Sequence, residues 1–148
     1  MNNGDIVIAG QSDETVRAWS EIIVEYYRKY MLLDGGDCET VEIDGAEYTD
    51  ADEIRELVLE SALSVEVRDG WHVPGAEPRA EPVEYRVCLT TGGPGVQLAG
   101  SLSQYCQPES WRMEMRDWFI PWERFDNAEY VDYDAAIEWF AGCFWFGE

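Results

Sequence analysis

The sequence predicts an α+β fold: an antiparallel sheet of three to five strands with an N-terminal helix, a middle helix and a C-terminal helix. Three observations carry this reading. From Glu14 to about Met31, apolar side chains recur every three or four residues, the period of a helix with one buried face. Between Val83 and Trp122 the period shortens to two and is broken by glycine and proline, as in a meander of strands. Near the end, Ala136, Ile137, Phe140 and Phe144 return to helical spacing.

Taken in order, Ile6-Val7-Ile8 is a short β-branched run that suits a frayed or edge strand. Ser12 or Asp13 can cap the first helix, since a short polar side chain accepts from the free amides of a first turn. Val16, Trp19, Ile23, Tyr26 and Tyr30 form its inner face, and Asp34-Gly35-Gly36-Asp37 ends it. Thr40–Asp44 alternates and meets Asp44-Gly45, a dipeptide suited to a two-residue hairpin, before Ala46-Glu47-Tyr48. Asp50 or Asp52 caps the middle helix, which turns Ile54, Leu57 and Val58 inward together with Ser61 or Ala62.

Ser64–Arg68 reads as a strand, and Asp69-Gly70 as a turn into Trp71-His72-Val73. Residues 74–82 hold three prolines and no apolar anchor, the composition of an extended connection. The chain therefore reads as one domain: a helical, acidic half over 1–73, a linker over 74–82, and a sheet with the last helix over 83–148. Val83–Thr90, Val96–Leu102 and Trp111–Phe119 are the core strands; the last puts Trp111, Met113 and Met115 opposite Arg112, Glu114 and Arg116. Pro121 should end that strand. Tyr133 or Asp134 opens the final helix, with Trp139, Trp145 and Phe146 widening its apolar face and Gly147 as a stop.

At 148 residues, 46% of them apolar and with seven Trp and eight Tyr, the chain can bury a core and is unlike a disordered polymer. Its charge is the unusual quantity: 31 acids against 10 bases, a net −21. Such an excess repels nucleic acid and anionic membranes and draws a basic partner. A compact chain of this length is roughly 38 Å across. Duplex DNA carries about 22 charges over that distance. The two match in charge per length.

No leader is expected, because Met1–Asp5 lacks a basic start and Ile6–Ala9 is a short apolar run. The four cysteines, 38, 88, 106 and 143, lack paired spacing and read as reduced, mostly buried thiols with no zinc site. Gly92-Gly93-Pro94-Gly95 lacks the Lys-Ser/Thr ending of a phosphate loop and reads as a turn. His72, the one histidine, has no nucleophile or orienting carboxylate at suggestive spacing. No catalytic residue, cofactor or metal is expected.

Four segments carry a resemblance: Ala62-Leu63-Ser64-Val65-Glu66-Val67-Arg68-Asp69-Gly70-Trp71-His72, Leu89-Thr90-Thr91-Gly92-Gly93-Pro94-Gly95-Val96, Arg116–Trp122 and Cys143–Glu148. Over about residues 62–148 the chain resembles a family of small acidic proteins carried on bacterial plasmids, integrated elements and phages. The resemblance implies a cytoplasmic protein of a bacterial host and a role against host defence, such as a CRISPR effector or a restriction enzyme.

The expected function is a folded DNA mimic that occupies the basic, nucleic-acid-binding surface of such a host protein or complex. The expected partner-binding residues are Asp34, Asp37, Glu39, Glu42, Asp44, Glu47, Asp50, Asp52, Glu53, Glu56 and Glu60. A second set is Glu123, Asp126, Glu129, Asp132 and Asp134. Direct nucleic-acid or membrane contact is not expected, and a homodimer is left open. The alternative is a ligand-binding protein or accessory enzyme with an aromatic pocket near Trp71, His72, Trp118 and Trp122.

Overall fold

The computed structural model describes residues 3–69, 74, 82–90, 95–117, 121–127 and 130–147, and the backbone alone for 3–13, 69 and 82. The turn at 70–73, most of the 74–82 connection and the turn at 91–94 lie outside the described residues. The elements are α1 (Asn3–Asp34), β1 (Val41–Ile43), β2 (Ala46–Tyr48), α2 (Ala51–Ser61), β3 (Ser64–Asp69), β4 (Pro82–Thr90), β5 (Gly95–Ser101), β6 (Arg112–Arg116), β7 (Glu123–Phe125) and α3 (Tyr133–Gly142). The α+β class and its three helices are as the sequence predicts.

β3 to β7 form one five-stranded antiparallel sheet in chain order, so each strand pairs with the next. The register Val87↔Leu98 and Leu98↔Met113 places one row of apolar side chains across its centre. Helices α1 and α3 cover this face. Val16, Ile23 and Val24 of α1 and Ala136, Ile137, Phe140 and Ala141 of α3 join Tyr85, Val87, Leu89, Val96, Leu98, Met113 and Phe125 in the main core. Because β3 belongs to the acidic half and pairs with β4, the sheet spans the 74–82 connection.

Within this core several buried polar groups are matched, while Trp139 Nε1 is buried without a partner among the described residues. Asn127 donates to the Ser20 hydroxyl at 2.9 Å, which donates in turn to the Arg17 carbonyl at 2.8 Å. The Tyr85 and Tyr133 hydroxyls donate to the Ser110 and Phe125 carbonyls at 2.7 and 3.0 Å. These bonds tie helix to loop and strand to connection where an unpaired group would be costly.

Three expectations change. Ile6-Val7-Ile8 lies in α1, which starts at Asn3 upstream of Ser12 and Asp13. Once a helix is nucleated, each added residue gains a hydrogen bond, which outweighs the weak strand preference of three β-branched residues. β7 follows Pro121 as a further short strand, anchored by the buried Phe125. Trp145 does not widen an apolar face but is 75% exposed. The helix stops at Gly142, so burial then alternates, with Phe144 and Phe146 inside and Trp145 outside.

Burial also sets the response to base. It raises the Cys143 thiol to about 11, partly offset by the nearby Arg55, and it raises the Tyr85 and Tyr133 hydroxyls above 10.0. Each group favours its protonated form in the folded chain, so its contribution is complete below the unfolded pKa and is lost as pH rises toward the folded one. The urea midpoint is expected to fall as pH passes from about 9 to about 11. Cys143→Ala should remove the earliest part of that fall. A midpoint flat across this window would contradict the assignment.

Candidate functional site

The segment from Asp34 to Glu60 folds as a small unit on the C-terminal half of α1. At its start, Gly36 turns the chain with φ 77°, and the Cys38 amide donates to the Leu32 carbonyl at 3.1 Å. The hairpin turn has Asp44 at φ 51° and Gly45 at φ 82°, the left-handed pair that a two-residue turn with the natural strand twist requires. Asp50 caps α2 by accepting from the Asp52 amide at 3.0 Å, while the Glu53 carboxylate accepts from the Asp50 amide at 3.1 Å.

Val41, Ile43 and Ile54 are the buried centre of this unit, packed against Tyr26, Tyr30, Leu33, Tyr48, Leu57 and Trp139. The Lys29 ammonium donates to the Glu25 carboxylate at 3.1 Å and also to the backbone carbonyl of Glu42. It therefore clamps the hairpin through its backbone and leaves the Glu42 side chain exposed. Arg55, the one base of the segment, lies over the Tyr30 ring at 5.7 Å. Asp50→Ala removes the cap and should cost about 1 kcal/mol, a lower thermal midpoint with unchanged far-ultraviolet dichroism.

Ten of the eleven expected carboxylates here, Asp34, Asp37, Glu39, Glu42, Asp44, Glu47, Asp50, Asp52, Glu56 and Glu60, are exposed, and Glu53 is half-buried by its capping role. Among the described residues, none of the eleven forms an ion pair with Lys or Arg. Instead, five of them neighbour one another. Glu42 and Glu47 are direct cross-strand partners, and Asp52, Glu56 and Glu60 follow one another at four-residue spacing along α2. Like charges so placed each destabilise the element by about 0.2–1 kcal/mol.

The spacing is also dense. The 11 residues of α2 carry four acids. At a rise of 1.5 Å per residue this is one carboxylate per roughly 4 Å of axis. One strand of duplex DNA has a phosphate per about 3.4 Å.

The second expected set divides. Asp132 accepts from Arg28 through two bonds of 2.9 Å, which holds its carboxyl below the usual range, and Asp126 is paired with Arg124 at 3.3 Å. Glu123 and Asp134 are exposed, and Glu129 lies outside the described residues. The internal cations thus already compensate part of this set.

The cations collect on the outer face of the sheet, a feature that sequence reasoning found only for β6. Arg68, Arg86, Arg112, Arg116 and Arg124 all point away from the helices, by the registers Arg68↔Glu84, Arg86↔Ala99, Ala99↔Arg112, Gly95↔Arg116 and Glu114↔Arg124. Arg86 donates to Glu66 at 2.9 Å, Arg68 bonds Glu84 at 2.5 Å, and Arg112 bonds Glu114 at 2.9 Å. Gln97 adds a bond to Glu114 at 2.6 Å on the floor of a trough of about 370 Å³. The signal was the alternation Glu66/Arg68 and Glu84/Arg86, whose pairing needs the register.

Of the expected aromatic pocket, Trp71, His72 and Trp118 lie outside the described residues, and the Trp122 ring is occupied by the Arg116 guanidinium at 4.7 Å. Among the described residues no cluster of three His, Cys, Asp or Glu converges as a metal site would, and no helix is long and apolar enough to cross a membrane. No protein-family model, curated protein or solved structure matches the chain.

Proposed function

We propose that the Asp34–Glu60 unit is a polyanionic docking surface, and that the protein inhibits a bacterial defence nuclease, a CRISPR effector or restriction enzyme, by occupying its basic DNA-binding surface. The mobile-element setting belongs to this proposal. One observation carries it: eleven acids, nearly all exposed, are concentrated in one folded unit without ion pairs among the described residues, while five acids elsewhere, Glu66, Glu84, Glu114, Asp126 and Asp132, are each paired with arginine. A chain under selection for stability alone would intersperse cations there, because like-charge neighbours weaken the hairpin and α2. A basic channel that normally holds DNA supplies the missing cations, and long-range attraction brings the two together. Because a hairpin turn, a capped helix and the Lys29 clamp hold the backbone that presents these carboxylates, little ordering is left to oppose binding.

The test is capture from bacterial lysate on the immobilised full chain, with elution by salt or by duplex DNA and identification of the eluted proteins by mass spectrometry. Recovery of a nuclease or CRISPR complex that DNA displaces supports the reading. Partners indifferent to both salt and DNA would overturn it.

A further inference from the structure

Of the two edge strands of the sheet, β3 and β7, β3 is the one flanked by exposed apolar side chains. β3 pairs with β4 on one side and, among the described residues, with no strand on the other. An open edge of this kind offers unpaired backbone groups to another strand. Its side chains are unusually apolar for an open edge. Val65 and Val67 point the same way as their partners Val87 and Tyr85, which are buried, yet they are 39% and 47% exposed. Leu59 and Leu63 on the approach to β3, and Val83 on β4, are exposed as well, so among the described residues half of the ten exposed large hydrophobics belong to this edge and its flanks.

On the opposite face the edge is neutral and charge-alternating, Glu66 then Arg68. This pattern is complementary to itself. In an antiparallel pairing centred on Val67, each Glu66 stands opposite Arg68 of the second copy, and Val67 packs on its own equivalent. A shift of the centre to Glu66 would oppose two glutamates, which cross-strand electrostatics disfavours.

We propose that two copies of the chain pair through their β3 edges, antiparallel about a two-fold axis at Val67, and extend their sheets into one. The contact is isologous, so it closes at two copies and does not propagate. Its dependence on salt is opposite to that of the acidic surface. Two chains of net −21 repel at long range, and salt screens that repulsion while backbone pairing and valine burial persist.

The experiment is sedimentation equilibrium of the full chain from about 0.05 to about 0.5 M sodium chloride. The wild type is compared with Val67→Lys and Arg68→Glu, whose folding is checked by circular dichroism. The expected result is a dimer that tightens with salt in the wild type, with a dissociation constant at least about tenfold higher in each folded variant. A wild-type chain that is monomeric at every salt, or a dimer unchanged in both variants, would overturn the proposal. Capture of the basic partner should survive in both variants, so its loss would count against the acidic surface and not against the dimer.

Discussion

Glu47→Lys combined with Glu56→Lys is expected to make the free protein more stable and its partner complex much weaker. Lysine at 47 faces Glu42 across the hairpin, and lysine at 56 sits four residues from both Asp52 and Glu60. Three repulsive neighbour pairs become attractive. At a few tenths of a kcal/mol for each sign change, the gain is about 1–2 kcal/mol, a rise of several degrees in thermal midpoint. Binding moves the other way. Two reversed charges in a surface that meets a basic channel should each cost at least about 1.4 kcal/mol, about a hundredfold together at low salt. Calorimetric melting and surface plasmon resonance against the captured nuclease read the two effects separately. A variant that is less stable, or that binds as well as the wild type, would contradict the view that this clustering serves a partner.

Gly100→Ala should produce the largest loss of stability among the small changes considered. A β-carbon at Gly100 would lie 1.9 Å from the Ser110 carbonyl oxygen and 2.9 Å from the Tyr85 hydroxyl. Those two atoms are bonded to each other at 2.7 Å, and the Ser110 hydroxyl also accepts from the Ser101 amide at 2.8 Å. The added methyl must therefore push the 108–110 connection away from β5 and break a buried tyrosine bond, at a cost of about 3 kcal/mol. Gly142→Ala is the contrasting change, because nothing stands within 4 Å of its β-carbon in the last turn of α3. It should be neutral or stabilising by up to about 1 kcal/mol. Urea midpoints of the two variants should therefore fall on opposite sides of the wild type or leave Gly142→Ala level with it. Equal losses in both would mean that the contact at Gly100 relaxes freely.

Features written in a few adjacent residues could be read from the sequence. Asp50 or Asp52 announced a cap for α2, which the structure assigns to Asp50 with Glu53, and Asp44-Gly45 announced the hairpin turn. The alternation of Met113 with Arg112 and Glu114 announced which face of β6 is buried. What escaped depends on distant partners. Ile6–Ile8 took the helical state of the element it joins, and β7 is a strand only because Met113, Glu114 and Met115 stand beside it. For the candidate site, the acidic stretch itself was plain. Which carboxylates are already neutralised was not, since Arg28 and Asp132 are 104 residues apart and Arg86 and Glu66 are 20 apart. Only the fold separates the uncompensated acids of 34–60 from the partly compensated set of 123–134.

Amide hydrogen exchange of the chain alone and bound to the captured nuclease reads that separation out. Slowed exchange concentrated in peptides covering 34–60, with the central sheet strands β4 to β6 unchanged, is the predicted result. Protection that falls on the sheet while 34–60 exchanges as in the free chain would show that the partner binds elsewhere and that the acidic unit is not the docking surface.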